Sequence, residues 1–147
     1  MIKQILTNHP NYQIKSYKEY NHDILVWYEN FDEDGNKHGM SYAHCNNVKS
    51  YCQYVHGRKH GKYRLWDSNG NKCVECNYVD GLIHGIYNFY TKEGLYQTTE
   101  FVNGLKNGLL LTYNVDGSLY RKEIYKNNKL IKHIRYPEND KTNSNSL

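Results

Sequence analysis

The chain has 147 residues, the length of a single domain, and only 38% of them are hydrophobic. Its formal net charge is +4, and because the positive residues are spread along the chain, the composition argues against a dedicated polyanion-binding site. Tyrosine supplies 16 residues, which excludes a thick aliphatic core and favours β-structure with partly wet faces.

The first 23 residues precede the regular part of the sequence. Neither they nor any later stretch has the apolar length of a signal peptide core or a membrane span. We therefore expect a cytoplasmic protein, or one of the host cytoplasm if a virus encodes it. We assign residues 1–23 as an N-terminal cap, in which YQIKSYKEY at 12–20 could form one additional strand.

From residue 24 onward the chain is periodic, with ILVWYENF at 24–31 as a first strand. A glycine word then recurs as DGNKHG at 34–39, HGRKHG at 56–61, DGLIHG at 80–85 and NGLKNG at 103–108, with a glycine-free copy, NNKLIK, at 127–132. Its first glycines are 22, 24 and 23 residues apart. A second set of turn pairs lies between the words, at Asn46-Asn47, Asn69-Gly70, Glu93-Gly94 and Asp116-Gly117.

Both sets predict β-turns, because Asn-Gly, Asp-Gly and similar pairs supply the positive φ that tight two-residue hairpins require. The turns follow each other every ten to thirteen residues, which leaves room for one strand between neighbours. The predicted fold is therefore all-β, a single-layer antiparallel meander of about ten strands in stacked β-hairpins over residues 24–136. The polar segment 137–147 is predicted to be a disordered tail.

Aromatic residues recur with the same period. One file comprises Tyr54, Tyr78, Phe101 and Tyr125, and another comprises His44, Trp66, Tyr90 and Tyr113. Because side chains alternate along a strand, both faces carry rings, which a flat sheet would leave in water. We therefore expect the sheet to be twisted or rolled into an elongated trough. The candidate partner-binding residues are Tyr63, Tyr87 and Phe89 on one face and Trp66, Tyr90 and Tyr113 on the other.

This pattern of paired-glycine words and aromatic strands resembles the MORN repeat family, in particular the MORN-like variant associated with toxin–antitoxin systems. The resemblance covers residues 24–136 and lies in the spacing more than in the individual words. It implies a single-layer sheet of stacked hairpins with a scaffolding or self-associating role. The longer loop before Gly35, the Asn46-Asn47 turn and the glycine-free last copy depart from the pattern, which suits capping units.

The stretch VHGRKHGKYRLW at 55–66 is not a phosphate-binding loop. Only three residues separate Gly57 from Gly61, and Lys62 is followed by tyrosine instead of serine or threonine. Its basic residues are not repeated in GLIHGIYNFY at 81–90, as a groove that tracks nucleic acid would require. We therefore do not expect nucleic acid as a partner.

The cysteines also have two interpretations. Cys73 and Cys76 have zinc-finger spacing, but residues three apart on a strand point to opposite faces. Cys52 and Cys76 hold the same repeat position two strands apart, too far for a disulfide. We expect Cys45 and the other three to be reduced, half-buried residues.

The histidines His38, His60 and His84 form a file that Asn107 continues. A metal ladder or a pH sensor is one interpretation. Because asparagine cannot replace imidazole chemistry, a turn-stabilising hydrogen bond is the interpretation that covers all four positions. We therefore predict neither a metal site nor a cofactor.

No nucleophile has a recognisable catalytic context, and the contiguous acids at 32–34 are typical of a solvated loop, so we predict no enzyme activity. The leading hypothesis is a protein–protein interaction or scaffolding module that binds a protein partner or a second copy of itself. The alternatives are a peripheral membrane or phospholipid-binding protein, because the chain is mildly basic, and an antitoxin or immunity-type protein, which the resemblance implies.

Overall fold

The computed structural model describes residues 1–9 and 12–137, which form one open antiparallel sheet of thirteen strands without a helix. The prediction of an all-β meander is confirmed. The strands are β1 (Ile2–His9), β2 (Tyr12–Asn21), β3 (Ile24–Asn30), β4 (Gly39–Cys45), β5 (Val48–Val55), β6 (Arg58–Trp66), β7 (Lys72–Val79), β8 (Leu82–Ile83), β9 (Gly85–Thr91), β10 (Gly94–Val102), β11 (Leu105–Tyr113), β12 (Leu119–Lys126) and β13 (Lys129–Arg135).

Strands that are neighbours in the sheet are also neighbours in the sequence. The order runs from β1 to β13 without a crossover, and β8 and β9 both pair with β7. They are therefore two halves of one strand, interrupted at His84, whose amide still donates to the Asn77 carbonyl at 3.0 Å. Each hairpin consequently contacts only the hairpins that precede and follow it.

The N-terminal region contributes two strands, whereas the sequence suggested one. β2 covers the segment at 12–20, and β1 pairs with β2. Since β2 also pairs with β3, both strands belong to the same sheet as the hairpins that follow residue 24. The predicted tail at 137–147 lies outside the described residues from position 138 onward.

Five of the predicted turns are tight two-residue turns. Both residues have positive φ in Asn46-Asn47, His56-Gly57, Asp80-Gly81, Asn103-Gly104 and Asn127-Asn128. His22-Asp23 joins β2 to β3 in the same way, although neither a glycine nor an asparagine-glycine pair marks it in the sequence. The paired positive φ values thus fix the register of most hairpins.

Three other predicted turns belong instead to five-residue loops, at 32–36, 67–71 and 114–118. In the first, Asp32 N–H donates to the Asn36 carbonyl at 2.8 Å and Gly35 N–H donates to the Asp32 carbonyl at 3.1 Å. The glycine of each loop has positive φ, and a glycine there closes a longer loop as readily as a tight turn. The two-residue prediction is therefore wrong at these places, and the turn predicted at 93/94 lies one residue earlier.

The second glycine of each word lies in a bulge. Cys52 pairs with Tyr63 and Tyr54 pairs with Lys59, so His60 and Gly61 are extra residues of β6 relative to β5. Gly61 has φ +78°, a left-handed conformation that favours glycine. The bulge glycines pair with the predicted aromatic file on the following strand, as Gly39 with Tyr54, Gly61 with Tyr78, Gly85 with Phe101 and Gly108 with Tyr125.

Backbone hydrogen bonds join successive hairpin turns at the strand ends where the glycine words lie. The second residue of each turn donates its N–H to a carbonyl of the preceding word at 2.8–2.9 Å, as Gly57 to Lys37, Gly81 to Lys59, Gly104 to Ile83 and Asn128 to Lys106. This hydrogen bond gives a partner to a turn amide that would otherwise face solvent. The tips of the hairpins therefore form a continuous column.

Among the side chains that the structure describes, at 1–6 and 16–137, the fully buried ones all lie on one face of the single layer. The buried residues are Glu29, Cys52, Val74, Cys76, Thr99, Leu110, Thr112 and Glu123. Strand pairing places them all on one side, which we call the buried face, and the opposite side is the open face. Thr112 is only 1% exposed. Because a single layer has no second sheet to cover it, neighbouring side chains of the same face must supply this burial, such as the Tyr63 ring between Cys52 and Cys76.

The bulge glycines allow a direct test of the fold. An alanine Cβ at Gly61 would lie 2.2 Å from Gln53 Oε1, which accepts the Lys62 N–H at 3.2 Å. Gly61→Ala should cost about 1 kcal/mol for the left-handed φ and about 1 kcal/mol more for the displaced amide. Urea unfolding measures the difference from the wild type.

Gly70→Ala is the matched control, since Gly70 has φ +84° and its Cβ would meet nothing within 4 Å. It should lose only the conformational contribution, about 1 kcal/mol. Equal losses in the two variants would contradict the described packing of Gln53 against the bulge.

Candidate functional site

Strand pairing distributes the six predicted binding residues over both faces. Tyr63 pairs with Cys52 and Cys76. Tyr87 pairs with Thr99 and Phe89 pairs with Val74, so these three rings lie on the buried face. Alternation along β6, β9 and β11 puts the other three, Trp66, Tyr90 and Tyr113, on the open face.

On the buried face, small side chains lie between rings. Cys76 is 3% exposed and is flanked by Tyr63 on β6. Burial raises the pKa of the Cys76 thiol to about 11 and that of the Tyr78 hydroxyl to about 12. The Tyr63 and Tyr78 rings meet edge to face at 5.9 Å. These groups are therefore neutral packing residues at ordinary pH.

A lysine lies over most rings of the aromatic file. The Nζ atom is 5.5 Å from the ring centre for Lys37 over Tyr54, and 5.1 Å for both Lys59 over Tyr78 and Lys106 over Tyr125. In the remaining word the lysine position holds Ile83, and the corresponding ring is Phe101. Lysine thus accompanies tyrosine, and an aliphatic residue accompanies phenylalanine. Each of these ammonium groups lies over the face of a tyrosine ring, which is the geometry of a cation–π contact.

A cleft of about 620 Å³ opens at the strand ends opposite those that carry the glycine words, between the β9–β10 turn and the loop at 114–118. We call it the tyrosine cleft. The residues that line it include Leu95, Tyr96, Tyr113, Val115 and Tyr120, together with the acidic residues Glu93 and Asp116. Val115 is 80% exposed and Tyr96 is 43% exposed. Large apolar groups therefore remain accessible in a concave place.

Three of the predicted residues gather around this cleft. Tyr113 lines it, the Phe89 ring meets the Tyr96 ring edge to face at 6.1 Å, and Tyr90 pairs with Leu95. Of the six, Tyr113 alone lines the cleft, Phe89 and Tyr90 lie next to it, and Tyr63, Trp66 and Tyr87 lie elsewhere on the sheet. The candidate set is thus only partly gathered at the cleft.

The sequence did not identify three lining residues, Tyr96, Val115 and Tyr120. Tyr96 lies where the β9–β10 register shifts, so it falls out of phase with the aromatic files. Tyr120 carries the Arg135 guanidinium 4.8 Å above its ring. Val115 could have been identified from the sequence, because an aliphatic residue between Asn114 and Asp116 in a loop has no core to pack against and is expected to be exposed.

The cysteines have the arrangement that strand alternation predicts. On β7, Cys76 is buried beside Val74, whereas Cys73 shares the opposite face with Glu75. All four cysteines are free, with Cys45 exposed at the end of β4. Glu75 accepts hydrogen bonds from Arg64 at 2.7 Å and Lys72 at 3.0 Å, and both bonds lower the pKa of its carboxyl group.

The histidine file contacts the next turn along the column. His84 Nδ1 lies 3.2 Å from Asn103 Oδ1, and His60 Nδ1 lies 3.7 Å from the Asp80 carboxylate, beyond hydrogen-bonding distance. The hydrogen-bond interpretation therefore fits His84 better than His60. At the third position, His38 lies near His56 and Asp32, and among the side chains that the structure describes, at 1–6 and 16–137, this is the one group whose donors could hold a metal ion.

Neither a protein-family model nor a curated protein matches this chain. The relation to MORN repeats accordingly stays a prediction from the spacing of the glycine words. Across the part of the chain that the structure describes, no helix has the length and apolar character needed to cross a membrane.

Alkaline pH is expected to weaken the fold through Tyr78. Burial raises its pKa from 10.0 to about 12, so above pH 10 the unfolded chain loses a proton that the folded chain keeps. The contribution of Tyr78 to stability is therefore fully present below its pKa in the unfolded chain, 10.0, and is lost as the pH rises toward its pKa in the folded chain, about 12. After allowance for solvent screening the loss is about 1 kcal/mol.

Urea unfolding between about pH 9 and pH 11.5 measures this loss. Tyr78→Phe should show a shallower decline than the wild type. Phe101→Tyr, which places a hydroxyl at the same point of the next hairpin, should show a steeper one. Identical slopes in all three proteins would contradict the assignment.

Proposed function

We propose that this chain is a non-catalytic interaction or scaffolding module, built from MORN-like hairpins, that acts in the cytoplasm and binds a protein partner. The observation that carries the proposal is the tyrosine cleft. It combines a volume of about 620 Å³ with an exposed aliphatic residue, Val115 at 80% exposure, and three tyrosines that line the same concave place. Tyrosine gives large, rigid contact area with a polar tip, and such residues are enriched at interfaces.

The chemistry of the cleft indicates what a partner presents. Tyr96, Tyr113 and Tyr120 form aromatic walls, whereas Glu93 and Asp116 add carboxylates to the same cleft. An aliphatic or aromatic side chain flanked by Lys or Arg complements this combination of surfaces. The proposed partner is therefore a protein segment that is apolar at its centre and basic beside it.

The rest of the sheet suits a support for such a site. The turn that borders the cleft joins the paired strands β9 and β10, and the loop at 114–118 joins the paired strands β11 and β12 and is closed by the Asn114 amide, which donates to the Ser118 carbonyl at 2.9 Å. A site on a rigid framework loses less conformational entropy on binding than one on free loops. This supports a scaffolding role in which the sheet presents one surface in a fixed place.

Val115→Asp tests the proposal, because this residue contributes little to folding and much to the cleft surface. Used as bait in the native source, the wild-type chain should capture a partner that mass spectrometry identifies. The variant should recover at least about 10-fold less of it, as expected for an interface anchor. Ile24→Asp is the matched control, since Ile24 is 59% exposed but lies on β3, far along the sheet.

Three outcomes would contradict the proposal. One is capture that Val115→Asp does not weaken, and another is an equal loss in Ile24→Asp. The third is flotation of the chain with anionic liposomes in place of any protein capture, which would favour the membrane alternative. Light scattering of the wild type separates a second copy from a different protein as the partner.

A further inference from the structure

Three potential metal ligands, Asp32, His38 and His56, lie close together at the strand ends that carry the glycine words. One donor atom from each side chain lies within 4.8 Å of the other two. His56 Nδ1 is 2.8 Å from Asp32 Oδ2, and the rings of His38 and His56 lie 5.1 Å apart at 68°. The three residues come from the loop at 32–36, the bulge before β4 and the β5–β6 turn.

The backbone holds these side chains in place. Asp32 Oδ1 accepts the amides of Asn36 at 2.8 Å and Asp34 at 3.2 Å, which orients Oδ2 toward His56. The β5–β6 turn is tied to the loop by the Gly57 amide, which donates to the Lys37 carbonyl at 2.8 Å. Two segments distant in sequence are thus fixed against each other before any ligand arrives, and such preorganisation favours binding.

His38 has an unused donor atom. Its Nδ1 is buried and forms no hydrogen bond with the described residues. By contrast, the Asp32 carboxylate is only 9% exposed and already has partners. A buried imidazole nitrogen without a partner is energetically costly. Coordination of a metal ion by this nitrogen would remove that cost.

The same column provides an internal comparison. At the next two bulges the histidine lies near one polar side chain. His84 Nδ1 is 3.2 Å from Asn103 Oδ1, whereas His60 Nδ1 is 3.7 Å from the Asp80 carboxylate and, like His38 Nδ1, is buried without a hydrogen bond. Among these three bulges, only the first gains a third donor, because the five-residue loop places Asp32 where the other words have a two-residue turn. The departure from the regular hairpin therefore creates the cluster.

We propose that Asp32, His38 and His56 bind one divalent transition-metal ion of the zinc class. Two imidazole nitrogens and one carboxylate oxygen are a ligand set that zinc accepts, with a fourth position left for water or a partner's side chain. Ligands about 2.0–2.1 Å from zinc stand about 3.3 Å apart in a tetrahedron. The Asp32–His56 hydrogen bond opens slightly to admit the ion, and the His56 nitrogen gives up its proton or presents its lone pair.

The bound ion would join the loop at 32–36 to the β5–β6 turn. Both lie at the tips of consecutive hairpins, so the ion adds a link to the column of turn hydrogen bonds. Because it binds the folded chain and the unfolded chain lacks the site, it should raise the thermal unfolding temperature.

The test uses the full chain without a histidine tag, treated with EDTA and then titrated with ZnCl₂ by calorimetry. The expected result is one ion per chain, and a hundredfold excess over Kd should raise the unfolding temperature by about 5 °C or more. CoCl₂ provides a spectroscopic readout, since four-coordinate Co²⁺ absorbs visible light far more strongly than the aqueous ion.

His38→Ala and Asp32→Asn should each weaken zinc binding at least about 10-fold and abolish the cobalt absorption. The amide side chain introduced by Asp32→Asn keeps an oxygen that can accept the loop amides, so the loss in that variant is not a loss of the loop. His84→Ala, at the equivalent bulge, is the matched control and should bind zinc as the wild type does.

The proposal is overturned if the wild type binds no zinc at a ratio of one, if His84→Ala weakens binding as much as His38→Ala, or if binding persists in His38→Ala through the free cysteines. A cobalt complex with the weak spectrum of the aqueous ion would also overturn it. None of these outcomes depends on the tyrosine cleft.

Discussion

The left-handed glycine in each bulge is the constraint on which the sheet depends. At Gly39, Gly61, Gly85 and Gly108 the backbone has positive φ, and an aromatic residue of the following strand pairs with each glycine. A side chain at these positions would bring both conformational strain and, at two of them, a clash with a glutamine or a glutamate. Without the bulge, the histidine of each word would lose its position against the next turn. The glycine therefore couples packing within a hairpin to contact between hairpins.

A one-layer sheet also explains the composition. Few positions are enclosed on all sides, and of the four most buried residues, Thr112, Thr99, Cys76 and Leu110, only Leu110 is a large aliphatic residue, so no extended aliphatic core forms. Tyrosine suits the flanking positions because its ring packs while its hydroxyl group reaches water. Lysine ammonium groups lie over these rings in cation–π contacts. The high tyrosine and lysine content is thus a consequence of building a stable fold without a second layer.

The topology could be predicted from the sequence because tight turns have strict backbone requirements. Pairs such as Asn103-Gly104 recur at hairpin spacing, and their order gives the order of the strands. β1 could not be predicted in this way, since no turn pair of this type separates it from β2. The loops at 32–36, 67–71 and 114–118 were predicted as shorter turns because glycine serves both geometries.

The candidate sites were harder to predict for a different reason. The tyrosine cleft joins residues of two loops, and the phase of Tyr96 is broken by a register shift that leaves no mark in the sequence. The histidine file was visible, but it contributes only His38 to the cluster, because His56 belongs to a two-residue turn and Asp32 comes from a loop whose length was misjudged. Alternation along a strand predicted which face each ring occupies. It carried no information about how far neighbouring loops lean toward each other.

The open ends of the sheet have a mechanical consequence. β1 and β13 occupy opposite edges, and every strand between them is bonded only to its sequence neighbours. A force that pulls these two edge strands apart would act first on the backbone hydrogen bonds of the terminal hairpins. The hairpins would then detach from the sheet one after another. Extension would then proceed in many small steps at modest force. A fold whose terminal strands lie side by side in the middle of a sheet resists as a unit and yields at once.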